Sequence, residues 1–134
     1  MLGKRKLVSC AICAVVGLAV AETGANAEAP AGFTRKILQK TEYPGRRFVC
    51  VLAEVDIEPN GVIPRHTHPG VESSYLTSGS FTLSVQGQND RVVKAGEGFQ
   101  VPPETPHSVR NGPQASRIAV TFIVEKDKPL SSPA

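Results

Sequence analysis

From Arg47 to Ile57 the chain sets Val49, Val51, Ala53 and Val55 against Cys50, Leu52, Glu54 and Asp56. One parity is apolar and the other grows increasingly polar, which predicts a half-buried β-strand. Ser116 to Glu125 repeats the pattern, with Ile118, Val120, Phe122 and Val124 on one face. Shorter strands are predicted over Phe33–Leu38, Ser73–Thr77, Ser80–Val85, Arg91–Lys94, Phe99–Val101 and His107–Arg110. Between them lie residues suited to turns: Tyr43-Pro44-Gly45, Pro59-Asn60-Gly61, Ser78-Gly79, a hairpin loop over Gln86–Asp90, Ala95–Gly98, and a proline-rich corner over Pro102–Pro106. No window in this part shows a capped helical stripe longer than a turn or two. Many short strands punctuated by Gly and Pro predict an all-β sandwich or barrel, with no internal repeat. The segment from Lys126 to Ala134, rich in Lys, Pro and Ser, is expected to be a mobile tail.

The first 27 residues follow another pattern. Lys4-Arg5-Lys6, an apolar run from Leu7 to Ala21, and small residues ending in Ala25-Asn26-Ala27 have the three parts of a secretory signal peptide. An apolar run of 15 residues is too short to span a bilayer, which takes roughly 20. Cleavage is expected after Ala27. The competing Ala19-Val20-Ala21 site lies inside the apolar run, where a peptidase has less access. Leu7-Val8-Ser9-Cys10 precedes the apolar run instead of following it, which argues against lipidation at Cys10. The organisation expected is a leader over 1–27, one β-barrel domain over 28–125 and the tail over 126–134, with the mature protein in the periplasm or secreted.

Cleavage changes the charge balance. Three of 15 basic groups and one of 12 acidic groups leave with the leader, so the net charge falls from +3 to +1. A nearly neutral domain offers no broad basic field for nucleic acid, and no mature segment has the basic amphipathic pattern of a membrane-surface helix. Cys10 and Cys13 leave as well, so Cys50 has no intramolecular disulfide partner and is expected to be a small buried strand residue.

The chain has only three histidines, and two of them stand at i and i+2 in His66-Thr67-His68-Pro69-Gly70-Val71-Glu72. In an extended strand alternate side chains share a face, so His66 and His68 would point together into the interior. Glu72 follows four residues later, and His107 lies between proline and glycine corners. Imidazole nitrogens and a carboxylate oxygen, with no thiolate nearby, suit a first-row divalent metal. A metal-free polar cluster would have to satisfy three imidazoles and a carboxylate by mutual hydrogen bonds, which is costly in an apolar barrel. Tyr75 has the opposite parity to Glu72 and is expected outside the cavity. Gln100 either faces the cavity, where its amide would orient a ligand, or lies at the surface.

Two spaced patterns line up. Gly61, four residues, His66-x-His68, three residues, Glu72, six residues and Gly79 form the first; Gly96, five residues, Pro102, then His107, three residues and Asn111 form the second. They resemble the two motifs of the cupin superfamily over residues 61–111. The resemblance implies a jelly-roll barrel (double-stranded β-helix) with His66, His68, Glu72 and His107 as ligands of one divalent metal, be it Fe, Mn, Ni, Cu or Zn. Two departures stand out. The gap from Gly61 to His66 is one residue short of the family pattern, and Glu104 stands where the second motif usually has glycine. If that position needs a positive φ, Glu104 is strained or the corner is built differently.

The function expected is metal-dependent, dioxygenase-like chemistry on a small molecule in the barrel, with Glu72 able to accept a proton as well as bind metal. Members of the superfamily include isomerases, lyases, oxygenases and non-catalytic binders, so a metal-dependent binding protein or sensor is the alternative. Edge strands that an open jelly roll must cover point to a homodimer, with Phe33–Gln39 crossing to the partner.

Overall fold

The computed structural model describes residues 32–45 and 47–134. The leader and its cleavage sites lie outside the described residues. Among the described residues there are ten strands and no helix: β1 (Phe33–Glu42), β2 (Phe48–Ile57), β3 (Val62–Thr67), β4 (Gly70–Ser78), β5 (Ser80–Val85), β6 (Arg91–Lys94), β7 (Gly98–Val101), β8 (His107–Asn111), β9 (Ser116–Glu125) and β10 (Ser132–Pro133). The strands pair antiparallel in two five-stranded sheets, ordered β1-β2-β9-β4-β7 and β10-β3-β8-β5-β6. Consecutive strands repeatedly fall in opposite sheets, as expected of a jelly roll.

Alternation built the two long strands as expected. Val49, Val51, Ala53, Val55 and Ile57 of β2 are buried, as are Ile118, Val120, Phe122 and Val124 of β9. Register puts Val51 beside Phe122 and Val55 beside Ile118, so both strands turn the same face inward. From the other sheet, Phe81, Leu83 and Val109 close the core, and Phe81 meets Phe99 edge to face at 5.9 Å. A buried Phe of this kind typically contributes about 3–5 kcal/mol on truncation to Ala. Buried Asn111 ties strand ends together: its Nδ2 donates to the carbonyls of Ile57, Glu58 and Gln114, and its Oδ1 accepts from Ser116 Oγ at 2.6 Å. The Ser78-Gly79 turn brings Gly79, at φ 87°, so close to Ser116 and Ala115 that a Cβ there would overlap them.

Of the two departures from the family pattern, Glu104 has a structural expression, and β3 carries a bulge that the shorter Gly61–His66 gap does not account for. In the β3–β8 ladder, Ile63 to His66 spans three residues while Val109 to His107 spans two, so β3 bulges at Pro64-Arg65. Pro64 has no N–H to leave unpaired, which suits it to a bulge. Glu104 adopts φ 54° and donates its N–H to the carbonyl of His68 at 2.9 Å. The corner therefore keeps the left-handed geometry of the usual glycine, at a strain of roughly 1–2 kcal/mol, and braces the ligand loop.

Three expectations are corrected. Cys50 is exposed, because its neighbours Val49 and Val51 take the inward parity and turn it outward. β1 runs four residues past Leu38 to Glu42 and pairs with β2 of its own chain, shifting register between Ile37 and Gln39. The tail expected to be mobile instead contributes β10: Ser132 pairs with Thr67 and Pro133 with His66, and Leu130 packs partly buried against the core.

Candidate metal centre

Four side chains from three places in the chain converge. His66 is the last residue but one of β3, His68 lies in the two-residue connection to β4, Glu72 is on β4 and His107 opens β8. His66 and His107 are cross-strand partners in one sheet, and Glu72 faces them from the other. His68, Glu72 and His107 are buried, with relative exposures of 3%, 7% and 2%. One ligand atom from each of the four lies within 4.8 Å of the others. Bonds of about 2.1 Å to a shared ion leave opposite donors about 4.2 Å apart, so only a small contraction would be needed.

The outer nitrogens explain why the inner ones converge. Nδ1 of His66 donates to the Pro64 carbonyl at 2.7 Å, Nδ1 of His107 to the Thr105 carbonyl at 2.9 Å, and Nδ1 of His68 to the Leu130 carbonyl at 2.6 Å. A carbonyl can only accept, so each neutral ring carries its proton on Nδ1 and presents a bare Nε2 inward. Those inner atoms crowd together: Nε2 of His68 and of His107 each lie 3.1 Å from Glu72 Oε2, and the Nε2 atoms of His66 and His68 are 3.2 Å apart. Three lone pairs and a carboxylate oxygen then face one another without a donor. Protonated rings or a cation would relieve this, and the nitrogen-rich donor set fits a first-row divalent ion.

The electrostatics follow from burial. Enclosure pushes Glu72 upward, but hydrogen bonds from His107 and His68, which donate from Nε2 only as protonated rings, and from Ser74 outweigh it and hold the carboxyl well below its usual range. Ser74 Oγ donates to Glu72 Oε1 at 2.6 Å whatever the state of the rings. His66 is pushed down to about 4, mainly by burial and further by His107 and His68, against the raising effects of the Pro64 carbonyl and Glu72. The Phe122 ring lies 4.6 Å from that of His68, a hydrophobic wall behind the ligand.

A small open-mouthed cavity, with a free volume of ≈ 30 Å³, adjoins the four side chains. Its walls are mainly apolar, with Val55, Phe99, Ile118 and Val120 among them, and Arg35 and Ser74 are its other polar residues. Gln100 is not part of it. It pairs with Ser73 on the outer parity of β7 and β4 and donates to Ser73 Oγ at 3.3 Å, so of the two placements open to it Gln100 takes the surface one and not the ligand-orienting place in the cavity. Tyr75 is exposed, as its parity requires. Ser74, Arg35 and Leu130 were not foreseen. Ser74 shares parity with Glu72, and Arg35 shares parity with Phe33 and Ile37, so both carried a readable signal; nothing in the local pattern pointed to Leu130.

Comparison with known proteins agrees with this architecture. The family model described as a cupin domain matches residues 53–124, more than half of the chain. A recombinant oxalate oxidase in complex with glycolate is 26% identical, with a TM-score of 0.63 over 81% of this chain and 58% of the oxidase. This chain therefore spans little more than half of that enzyme. The polyketide cyclase RemF from Streptomyces resistomycificus is 31% identical, with a TM-score of 0.57 over 72% of this chain and 68% of the cyclase. KdgF from Halomonas sp., at 23% identity and a TM-score of 0.59 over 72% of this chain and 82% of its own, shares the fold. No curated protein sequence matches the chain.

Proposed function

The chain belongs to the cupin family, and we propose that it holds one divalent metal through His66, His68, Glu72 and His107 and acts on a small molecule in the barrel. One observation carries this reading: three imidazoles, each with Nδ1 committed to a backbone carbonyl, aim bare Nε2 atoms at one another and at a carboxylate. Among the described residues only Ser74 donates to that group from outside the three rings.

When bound, the metal would supply Lewis-acid or redox chemistry at positions open to the cavity, in the manner of a dioxygenase-like cupin. The chain's own residues do the rest. Apolar walls exclude water and strengthen electrostatic interactions inside. Ser74 holds Glu72 Oε1, leaving Oε2 toward the imidazoles and the cavity. Those contacts make Glu72 a weak base while they last, so its role as proton acceptor for a bound small molecule would need Oε2 released from them. Two similar proteins, the oxalate oxidase and the polyketide cyclase, carry names that describe reactions of small oxygen-bearing molecules, which supports turnover over mere binding.

The test is a screen of metal-loaded protein against small acids, diols and phenols, following dioxygen consumption and product formation. Turnover that falls at least about a hundredfold in Glu72→Gln, while metal retention falls less, supports the reading. Saturable binding with no turnover under any metal would replace it with a metal-dependent binding protein. We also propose export, supported by the tripartite leader; protein recovered from the periplasm or medium is expected to begin at Glu28 by intact mass, and retention of Met1 would refute it.

A further inference from the structure

Before the register shift at Ile37, Arg35 is the one charged residue in the row of β1 that shares a face with the buried residues of β2; beyond the shift Lys40 and Glu42, paired with Val51 and Val49, continue that row. In the β1–β2 ladder Phe33 pairs with Ile57, Arg35 with Val55 and Ile37 with Ala53. All three β2 partners are buried, and directly paired residues of neighbouring strands project from the same face. The row that should be apolar thus carries a guanidinium between Phe33 and Ile37. Arg35 and Val55 both line the cavity that contains the four candidate ligands.

Three other cations have side-chain partners. Arg117 donates to both oxygens of Asp56, Lys126 to Glu42 and Arg65 to Gln86. Arg35 is different: burial lowers its pKa from the ordinary value, the charge of Glu72 partly opposes that, and no hydrogen bond among the described residues contributes. Arg35 is solvent-exposed yet lines the cavity, and with no hydrogen-bond partner among the described residues its guanidinium is free to meet an anion there.

We propose that Arg35 is the anchor for the carboxylate of a small organic acid whose other end reaches the candidate metal centre. The inference deepens the proposed function and rests on it for the second contact. Charge supports an acid: a divalent ion with one ligand carboxylate and Arg35 leaves a positive cavity, which an anionic guest of one or two charges balances. A carboxylate is favoured over a phosphate. The walls are chiefly aliphatic and aromatic, and Arg35 is the only guanidinium or ammonium among them. One planar fork matches the two oxygens of a carboxylate, whereas a phosphoryl group would leave further oxygens facing hydrocarbon. Arg35 would then select substrates by charge. It touches the acid's carboxylate and takes no part in proton transfer.

The experiment measures binding of glycolate, oxalate and malonate, and of uncharged glycolamide, by calorimetry to wild type, Arg35→Gln and Arg35→Lys, each with and without divalent metal. Metal content and thermal unfolding are recorded for every sample. Wild type is expected to bind the acids and to bind glycolamide far more weakly. Arg35→Gln should weaken acid binding about ten- to a hundredfold, the usual cost of a hydrogen bond to a charged group, with the same metal content. Arg35→Lys should fall between, since it keeps the charge but loses the fork. If no metal loads, Arg35-dependent binding in the metal-free protein still upholds the anion anchor while the metal reading fails. Equal binding to wild type and Arg35→Gln, equal binding of glycolamide, or no acid binding in either form would overturn it.

Discussion

His66 shows how one residue can be shaped by its enclosure. Burial lowers its pKa from 6.5 to about 4, and the neighbouring His107 and His68 add to the shift. The folded protein therefore binds fewer protons at His66 than the unfolded chain does between those values. Stability from this group is fully present above about 6.5 and is lost as pH falls toward about 4. In metal-free protein the denaturant midpoint should drop across that window, and His66→Gln, which cannot titrate, should flatten part of the slope. An identical pH dependence in both proteins would contradict this account of His66. At the same scale the candidate ligands were legible, because residue type and spacing alone bring His66, His68, Glu72 and His107 together. Cys50 and Gln100 show the limit. The tendency of cysteine to be buried suggested an inward Cys50, but parity within β2 decides, and Val49 and Val51 occupy the inner face. For Gln100 the inward neighbours Phe99 and Val101 fix the outward parity in the same way.

Among the elements, the long strands and most turns followed from alternation and turn chemistry, whereas the two ends of the described chain did not. In β1 the register shift between Ile37 and Gln39 breaks the period-two pattern halfway along, so the sequence showed only the first part of the strand. The tail offers no period at all. Its two-residue strand pairs with the free edge of β3, and Leu130 just before it is 62 residues in sequence from His68, the histidine it supports. This contact has a functional consequence. His66 and His107 use carbonyls two residues away, but His68 takes its partner from Leu130. Partners of this kind fix ring orientation and tautomer, and their loss typically costs about 10–100-fold in metal affinity. Removing residues 129–134 should therefore weaken metal binding by about that factor while the barrel stays folded by circular dichroism. Leu130→Ala, which loosens the anchor but keeps the backbone carbonyl, should have a smaller effect. Unchanged metal affinity in the truncated protein would show that the tail does not support His68.

For the molecule as a whole, the two sheets enclose the core and the candidate metal centre but leave β1 as an uncovered edge. Every residue of β1 after Phe33 is exposed, including Ile37 at 47% and Leu38 at 48%. An edge of ten residues with exposed apolar side chains is a template for pairing unless it is covered. A homodimer through β1 is the expected cover, although the strand remains paired with its own β2. Sedimentation at micromolar concentration should show a dimer that Leu38→Glu converts to monomer. Only monomer in the unmodified protein would contradict this.

The central claim is that both motifs hold one ion, and metal content tests it most directly. Protein recovered from its native cells, and the same protein reloaded after chelation, should contain about one divalent ion per chain by elemental analysis. His107→Ala, folded to the same extent, should contain little. Wild-type protein that takes up no divalent ion would contradict the account, as would His107→Ala with full metal content and unaltered stability.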